Sequence, residues 1–173
     1  MQMVEQAVQR LKGQIVEEEP DPTLRLNVSA FIPEEYVADP HQRLSFYKRL
    51  SSCTQVGDLA LLHGELQDRY GPPPDAVERL FEVMQVRMQA KSLRLSSIEL
   101  KTDSVVVTLD AKSPVASAAI QRLMDQYKKR IRFLSPLSFE LQMPHQDWPS
   151  IFPELSATLQ SLGVCDTNTT AKP

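Results

Sequence analysis

The sequence predicts an α+β fold: a single domain in which several helices pack on a small mixed β-sheet. Three observations lead to this class. Residues 24–30 alternate apolar and polar side chains, as a half-buried strand does. Residues 56–93 instead carry apolar side chains at helical spacing. Beyond Leu95, short β-rich runs return without a regular alternation of strand and helix, which favours a mixed sheet.

The first 22 residues are expected to form a lead-in helix and an acidic linker. Apolar residues recur there at intervals of three and four: Val4, Ala7, Val8 and Leu11. The helical pattern ends at Gly13, and the acidic, proline-broken run 17–22 indicates an exposed, extended connection. The globular domain is therefore predicted over residues 23–164, and residues 165–173 are expected to be a polar, frayed tail.

The predicted first strand, residues 24–30, leads through a proline turn into a helix. Glu34 and Glu35 are adjacent, so in an extended segment they point to opposite sides and do not form a paired acid and base. We assign them to the turn. Asp39 is predicted to cap the next helix, with Pro40 at its first position.

A helix is predicted over residues 56–70, and its end is strongly marked. Leu59, Leu62, Leu66 and Tyr70 fall on one side, which should pack inward. Gly71 then supplies a residue that tolerates the left-handed conformation. The three prolines that follow cannot continue a helix but can begin one.

The longest predicted helix covers residues 74–93. Its apolar stripe is interpreted as core rather than as an adaptable ligand groove: Val77, Leu80, Phe81, Met84 and Met88. The remaining predicted elements are a hairpin of strands 98–100 and 105–109, a helix over 114–127, strands 131–134 and 137–141, and a helix over 148–162.

Composition and missing motifs argue against several function classes. The chain of 173 residues has a net charge of −3 and a pI near 5.6, which argues against a dedicated nucleic-acid binder. Its 13 prolines against 5 glycines indicate stiff element boundaries rather than mobile phosphate-binding loops. The sequence holds no GxxxxGK[ST], GxGxxG or HExxH segment, so the usual scaffolds of nucleotide and zinc-protease chemistry are missing.

The cysteines and the apolar pattern point to a soluble protein in the reducing cytoplasm. Cys53 and Cys165 lie far apart, with no CxxC pair, so neither a zinc site nor a disulfide framework is indicated. The amino terminus lacks the continuous apolar core of a signal peptide, and no apolar run approaches membrane-spanning length. No membrane partner and no small-molecule substrate are expected.

The charged end of the 56–70 helix is the first candidate site. Glu65, Asp68 and Arg69 point outward, and Glu65 can pair with Arg69 four residues later, which stabilises a helix by about 0.2–0.5 kcal/mol. Arg69 also complements the helix dipole. Two interpretations stay open: a solvated ion pair with little effect beyond solubility, or a recognition surface for a partner.

The dense basic run is the second candidate: Lys128, Lys129, Arg130 and Arg132. These cations could form a solvated helix end favoured by the dipole, or could contact nucleic acid or an acidic partner. His63, within the 56–70 helix, is interpreted as a structural histidine rather than a general base.

Three segments, 30–39, 43–49 and 65–71, resemble the carboxy-terminal domain of the bacterial transcription-repair coupling factor, in order and in spacing as well as in residues. The resemblance covers residues 24–95 closely and the later elements loosely. Tyr70 stands where that family often has phenylalanine, and the three prolines 72–74 are stiffer than usual. Both departures are compatible with the same packing.

The resemblance implies that the chain is a fragment of an ATP-driven DNA translocase that removes stalled RNA polymerase and recruits the repair protein UvrA. ATP and magnesium would belong to the motor, and no cofactor is expected in this fragment. The terminal domain of that family is a non-catalytic clamp that packs on the UvrA-binding module of its own chain. Glu65, Asp68 and Arg69 match its contact residues.

Two other functions compete with this interpretation. The basic run 128–132 motivates an accessory module that binds double-stranded DNA for the same motor. An independent hydrolase has little support, because the sequence does not place a nucleophile, a base and an orienting group together.

Overall fold

The computed structural model describes residues 21–163. Its elements are β1 (Thr23–Arg25), α1 (Pro40–Ser52), α2 (Val56–Tyr70), α3 (Asp75–Ser92), β2 (Leu95–Leu100), β3 (Ser104–Leu109), α4 (Ser117–Tyr127), a 3-10 turn (Lys128–Arg130), β4 (Ile131–Ser135), β5 (Ser138–Gln142) and α5 (Trp148–Gly163). The predicted lead-in helix, the linker up to residue 20 and the tail 165–173 lie outside the described residues.

The five strands form one mixed sheet in the order β1-β2-β3-β5-β4, which confirms the predicted α+β class. β1 runs parallel to β2, and every other neighbouring pair is antiparallel. The hairpin predicted around residues 102–104 joins β2 to β3. The sheet is mixed because the chain passes through three consecutive helices between β1 and β2, and such a long connection allows these two strands to run parallel.

Helices cover one face of the sheet. Four residues of β3 and β5 on that face are fully buried: Val105, Val107, Phe139 and Leu141. They pack with α4 and α5 and with the second half of α3 in one hydrophobic cluster. The opposite face carries polar groups such as the hydroxyls of Thr108 and Ser138, which lie 3.3 Å apart. This half-covered sheet follows from the alternation of side chains along each strand.

A second hydrophobic cluster lies among α1, α2 and the first half of α3. The predicted stripe residues Leu59, Leu62 and Leu66 of α2 are buried in it. α3 belongs to both clusters, since Val77, Leu80 and Phe81 pack on the helices whereas Val86 and Ala90 pack on the sheet. The single stripe predicted for this helix therefore misses its sheet-facing half. Met84 and Met88 are half-buried at the margin of the helical cluster.

The predicted first strand is too long. The sheet ladder ends at Arg25, although Leu26 is buried and the alternation of apolar residues continues to Ala30. Asn27 has a φ of 50°, a left-handed value that an extended strand does not contain. The chain therefore turns away from the sheet, and the N–H of Phe31 donates to the carbonyl of Ala76 at the start of α3.

Both predicted helix boundaries near α1 and α2 are confirmed. The Asp39 side chain accepts a hydrogen bond from the N–H of His41 at 2.9 Å, and Pro40 is the first residue of α1. Gly71 ends α2 with φ 85° and ψ −170°, a region open almost only to glycine. Its N–H donates to the Gln67 carbonyl at 2.9 Å, and α3 begins directly after Pro74.

Asp21 and Pro22 of the predicted acidic linker already contact the domain. Arg87 of α3 donates to both carboxylate oxygens of Asp21, at 2.8 and 2.9 Å. Pro22 is buried. The described chain therefore packs on α3 before β1 begins.

Candidate interaction surface

Glu65 lies between two arginines at the junction of α1 and α2. Arg49 donates to both carboxylate oxygens of Glu65, at 2.9 and 2.5 Å. Arg69 donates to one of the same oxygens at 3.3 Å, which is the pair predicted from the four-residue spacing. The side chain of Glu65 is 33% exposed, and both arginines are more exposed than it. A two-pronged arginine–carboxylate contact fixes geometry better than a single ion pair.

Local sequence explains how these groups meet. Arg49 lies in the last turn of α1 and Arg69 in the last turn of α2, where cations are favoured by the helix dipole. The buried ring of Phe46 lies beneath both guanidinium groups, 5.5 Å from that of Arg49 and 5.8 Å from that of Arg69. Arg69 also lies 5.4 Å from the ring of Tyr70. The aromatic base holds the arginines in place as well as attracting their charge.

The electrostatics favour the charged forms of Glu65 and Arg49. The hydrogen bond from Arg49 has the largest effect on the pKa of Glu65, which it lowers. The hydrogen bond from Arg69 lowers this pKa further. The same bond raises the pKa of Arg49. Near neutral pH this part of the surface therefore presents two cations that share one carboxylate.

Asp68 has a different environment. It is exposed, and its side chain forms no hydrogen bond or ion pair with any residue between 21 and 163. The structure thus brings Glu65 and Arg69 together and leaves Asp68 directed at solvent. A carboxylate without an internal partner is available to an outside cation.

An apolar side chain and a shallow groove continue this surface. Leu61, one turn before Glu65, is 77% exposed. It lines a groove of about 290 Å³ together with Arg49, Cys53 and Asp58. Burial raises the pKa of the Cys53 thiol, as does the nearby charge of Asp58, so this cysteine is not an activated nucleophile. The exposed leucine and the groove, which Glu65 also lines, thus adjoin the charged end of α2.

Sequence reasoning missed Arg49. It lies sixteen residues before Glu65, on another helix, and no local spacing rule connects the two positions. Only the packing of α1 on α2 brings them together. The sequence signal that does exist is a cation in the last turn of α1, and this is common in surface helices.

The basic run does not form one free patch. Arg130 donates to the Gln142 carbonyl at 2.8 Å and to Glu154 at 2.6 Å. Arg132, on β4, donates to Glu140 at 2.6 Å. The Lys128 and Lys129 side chains are exposed and pair with no described residue. Two of the four cations are therefore already neutralised within the domain.

His63 has the structural role expected of it. Its Nε2 lies 3.0 Å from both carboxylate oxygens of Glu78 on α3. Its ring meets that of Phe81 edge-on at 5.0 Å. The side chain therefore joins α2 to α3, and no described nucleophile is paired with it.

Residues 21–163 contain neither a metal-binding cluster nor a membrane-spanning helix. No group of three or more histidine, cysteine, aspartate or glutamate side chains could hold a metal ion there. None of the helices in that range has the length and apolar character needed to cross a membrane.

A family model described as "TRCF domain" matches residues 26–120, which include α1, α2 and the whole candidate surface. Curated relatives are transcription-repair-coupling factors. That of Myxococcus xanthus is 37% identical over 131 residues, 73% of this chain and 11% of the relative. That of Bacillus subtilis is 30% identical over 133 residues, 75% of this chain and 11% of the relative. The chain thus spans about a tenth of the length of these relatives.

A solved structure, titled "Crystal structure of C-terminal domain of transcription-repair coupling factor", has a similar fold, with a TM-score of 0.74. The match covers 83% of this chain and 92% of the other, at 18% sequence identity. At this identity the likeness concerns the arrangement of helices and strands.

Proposed function

The chain belongs to the TRCF domain family, and from this premise we propose that it is the regulatory clamp of a transcription-repair coupling factor. In this proposal the domain is non-catalytic. It binds the UvrA-binding module of its own parent chain, hides the recruitment surface of that module and restrains the motor until RNA polymerase is engaged. UvrA, RNA polymerase and double-stranded DNA are then partners of the parent protein.

The observation that carries the proposal is the charged end of α2. Arg49 and Arg69, whose guanidinium groups lie over the ring of Phe46, both donate to Glu65, so the surface is pre-organised and loses little side-chain entropy on binding. Asp68 lies on the same helix without an internal partner among the described residues. A partner that offers both cations and carboxylates complements this arrangement.

The energetics suit reversible masking. Exposed ion pairs contribute about 0.2–1 kcal/mol each, so a contact built mainly from them is weak between separate molecules. Two modules of one chain meet at a high effective concentration, and a weak contact then suffices to keep them closed. Salt screens such pairs, so the closed state should loosen as ionic strength rises.

A titration of this chain against the separately purified UvrA-binding module of the same parent tests the proposal. The test variant combines Glu65→Ala, Asp68→Ala and Arg69→Ala. The control combines Arg25→Ala, Asp103→Ala and Asp125→Ala, which removes one exposed cation and two exposed carboxylates from the sheet half of the domain. We expect salt-sensitive binding to the wild type and the control, and none to the test variant.

A linked pair of modules separates weak affinity from a wrong assignment. If the free modules do not bind, joining them by a flexible linker raises their effective concentration. Protection of α2 from amide exchange in the linked protein, lost in the test variant, would support the clamp. Absence of protection in the linked wild type would refute it.

A further inference from the structure

β4 is an open edge of the sheet. It is the last strand in the order and pairs only with β5 among the described strands. One row of its backbone N–H and C=O groups therefore has no strand partner between residues 21 and 163. Such an edge is a template for another extended chain unless charges, proline or a covering segment protect it. The other edge, β1, has only three residues.

Large apolar side chains are concentrated along this edge. Phe133 is 38% exposed, Leu134 is 48% exposed and Leu137, in the turn to β5, is 41% exposed. They are three of the eight large hydrophobic side chains that the described residues expose. Isolated exposed apolar residues need no explanation, but a group on one short strand marks an interaction site.

The exposed apolar side chains of β4 lie next to each other in the chain. Phe133 lies opposite Phe139, and their ring centroids are 6.0 Å apart on the helix-covered face. Leu134 lies at a register irregularity between Phe133 and Ser135 and has no partner residue on β5, and its side chain is 48% exposed. A strand added beside β4 would thus cover the exposed apolar surface of Phe133 and Leu134.

The protective charge that edge strands usually carry is missing here. Arg132 is the only charged residue on β4, and Glu140 of the adjacent strand already pairs with it. Ser104 and Arg132 lower the pKa of Glu140, so this carboxylate stays ionised and keeps the arginine on the existing sheet. The outer edge of β4 therefore carries no unpaired charge that would repel an added strand.

The local field favours an acidic occupant. Lys128 and Lys129 stand exposed immediately before β4, without an ionic partner among the described residues. No aspartate or glutamate occurs between residues 126 and 139. This positive segment contrasts with the net charge of −3 for the whole chain.

The same observations disfavour DNA as the occupant. A duplex is held by many phosphate contacts from lysine and arginine, whereas two of the four cations here are committed to Glu154 and Glu140. The exposed phenylalanine and leucines would then face phosphates, and the free backbone groups would have no strand to pair with.

We propose that β4 is a docking edge for an extended peptide of a partner protein, which adds a sixth strand beside β4. Its apolar side chains cover Phe133, Leu134 and Leu137, and its carboxylates lie near Lys128 and Lys129. This surface is separate from the charged end of α2 and does not depend on the proposed clamp. It also lies beyond residues 26–120 that the family model matches.

Synthetic peptides added to the full chain test this proposal. The probe has two glutamates at one end followed by alternating valine and threonine, and it is used together with its reversed sequence, because either strand direction is possible. A first control peptide has lysines in place of the glutamates. A second carries N-methyl groups on alternate amides, which block strand pairing and leave the protein unchanged. Amide hydrogen exchange of residues 131–135 and the binding affinity are measured.

We expect one of the two acidic peptides to slow amide exchange along β4, and the N-methylated peptide to have no effect. The variant Lys128→Glu/Lys129→Glu should bind the acidic peptide about tenfold more weakly, since two exposed ion pairs become repulsions. The variant Arg25→Glu/Lys48→Glu changes the net charge equally at exposed positions elsewhere and should bind as the wild type does.

Three results would overturn the proposal. One is the absence of β4 protection with either acidic peptide at millimolar concentration. Another is equal binding of the lysine and glutamate peptides. The third is binding of a short DNA duplex that Lys128→Glu/Lys129→Glu abolishes, with no peptide bound, which would assign the edge to nucleic acid.

Discussion

Arg49 of α1 donates to both carboxylate oxygens of Glu65 on α2, at 2.9 and 2.5 Å. The contact joins two helices above the ring of Phe46 and keeps Glu65 from moving freely in solvent. A carboxylate held this way presents a defined charge pattern to a partner. The pair thus links the packing of the helical half to the surface on which the proposed function rests.

The coupling between these two residues should be measurable but small. We expect a double-mutant cycle of Arg49→Met and Glu65→Gln to give a coupling free energy of about 0.2–1 kcal/mol, because both side chains are partly exposed. Urea unfolding at low salt measures it, and added salt should reduce it. A coupling of zero at low salt would show that the contact does not hold the two helices together.

The stabilising effect of Glu65 should disappear in acid. Hydrogen bonds from Arg49 and Arg69 lower its pKa below the ordinary value of 4.5. Its interactions therefore stabilise the fold fully above about pH 4.5, and the effect fades as pH falls through the lowered pKa of the folded state. We expect the difference in unfolding free energy between wild type and Glu65→Gln to be level at higher pH and to shrink in acid. A difference that persists in acid would contradict this.

Substitution by alanine should have opposite effects on stability at Gly71, which ends α2, and at Gly64, which lies within it. Gly71 has a φ of 85° and a ψ of −170°, so Gly71→Ala should destabilise the domain by about 1–3 kcal/mol. Gly64 lies inside α2, where Gly64→Ala should stabilise it by about 0.5–1 kcal/mol. An added Cβ meets no atom within 4 Å at either position, so backbone conformation alone separates them. Thermal or urea unfolding measures both changes in stability. Equal changes in the two variants would refute this explanation.

A buried hydrogen bond joins α4 to α5. The hydroxyls of Tyr127 and Thr158 are 2.8 Å apart, and Thr158 donates its own proton to the Glu154 carbonyl. Tyr127 is therefore the donor to Thr158. We expect Tyr127→Phe to lower the free energy of unfolding, measured in urea, by about 0.5–1.5 kcal/mol. An unchanged stability of this variant would show that the contact contributes nothing.

Tyr47→Phe is the matched comparison for that substitution. The Tyr47 hydroxyl accepts a hydrogen bond from the N–H of Ile32 at 2.7 Å. Tyr47 packs on the helical cluster, whereas Tyr127 belongs to the cluster against the sheet. Because the two residues share no partner, we expect the losses of the single variants to add in the double variant within about 0.5 kcal/mol.

The sequence predicted the elements whose signals are local. Helical spacing located α2, Asp39 and Pro40 marked the start of α1, and Gly71 marked the end of α2. These features depend on residues within one or two turns of each other, so they can be recognised without knowledge of the tertiary structure.

What the sequence did not predict depends on contacts between distant segments. β1 ends early because Asn27 turns the chain toward α3, and Val86 and Ala90 are buried because a sheet lies beside α3. Arg49 joined the candidate surface for the same reason, since the packing of α1 on α2 sets its distance from Glu65. The pair of Glu65 with Arg69 was within reach of a spacing rule, and the pair with Arg49 was not.

Recruitment of UvrA by the whole parent protein tests masking most directly. The measurement is the affinity of purified UvrA for the parent without RNA polymerase, compared between wild type and the variant Glu65→Ala/Asp68→Ala/Arg69→Ala. We predict tighter UvrA binding by the variant, because loss of the clamp contact exposes the recruitment surface. Arg25→Ala/Asp103→Ala/Asp125→Ala should behave as the wild type does. Equal UvrA affinity of the wild type and the clamp variant would contradict the proposed function.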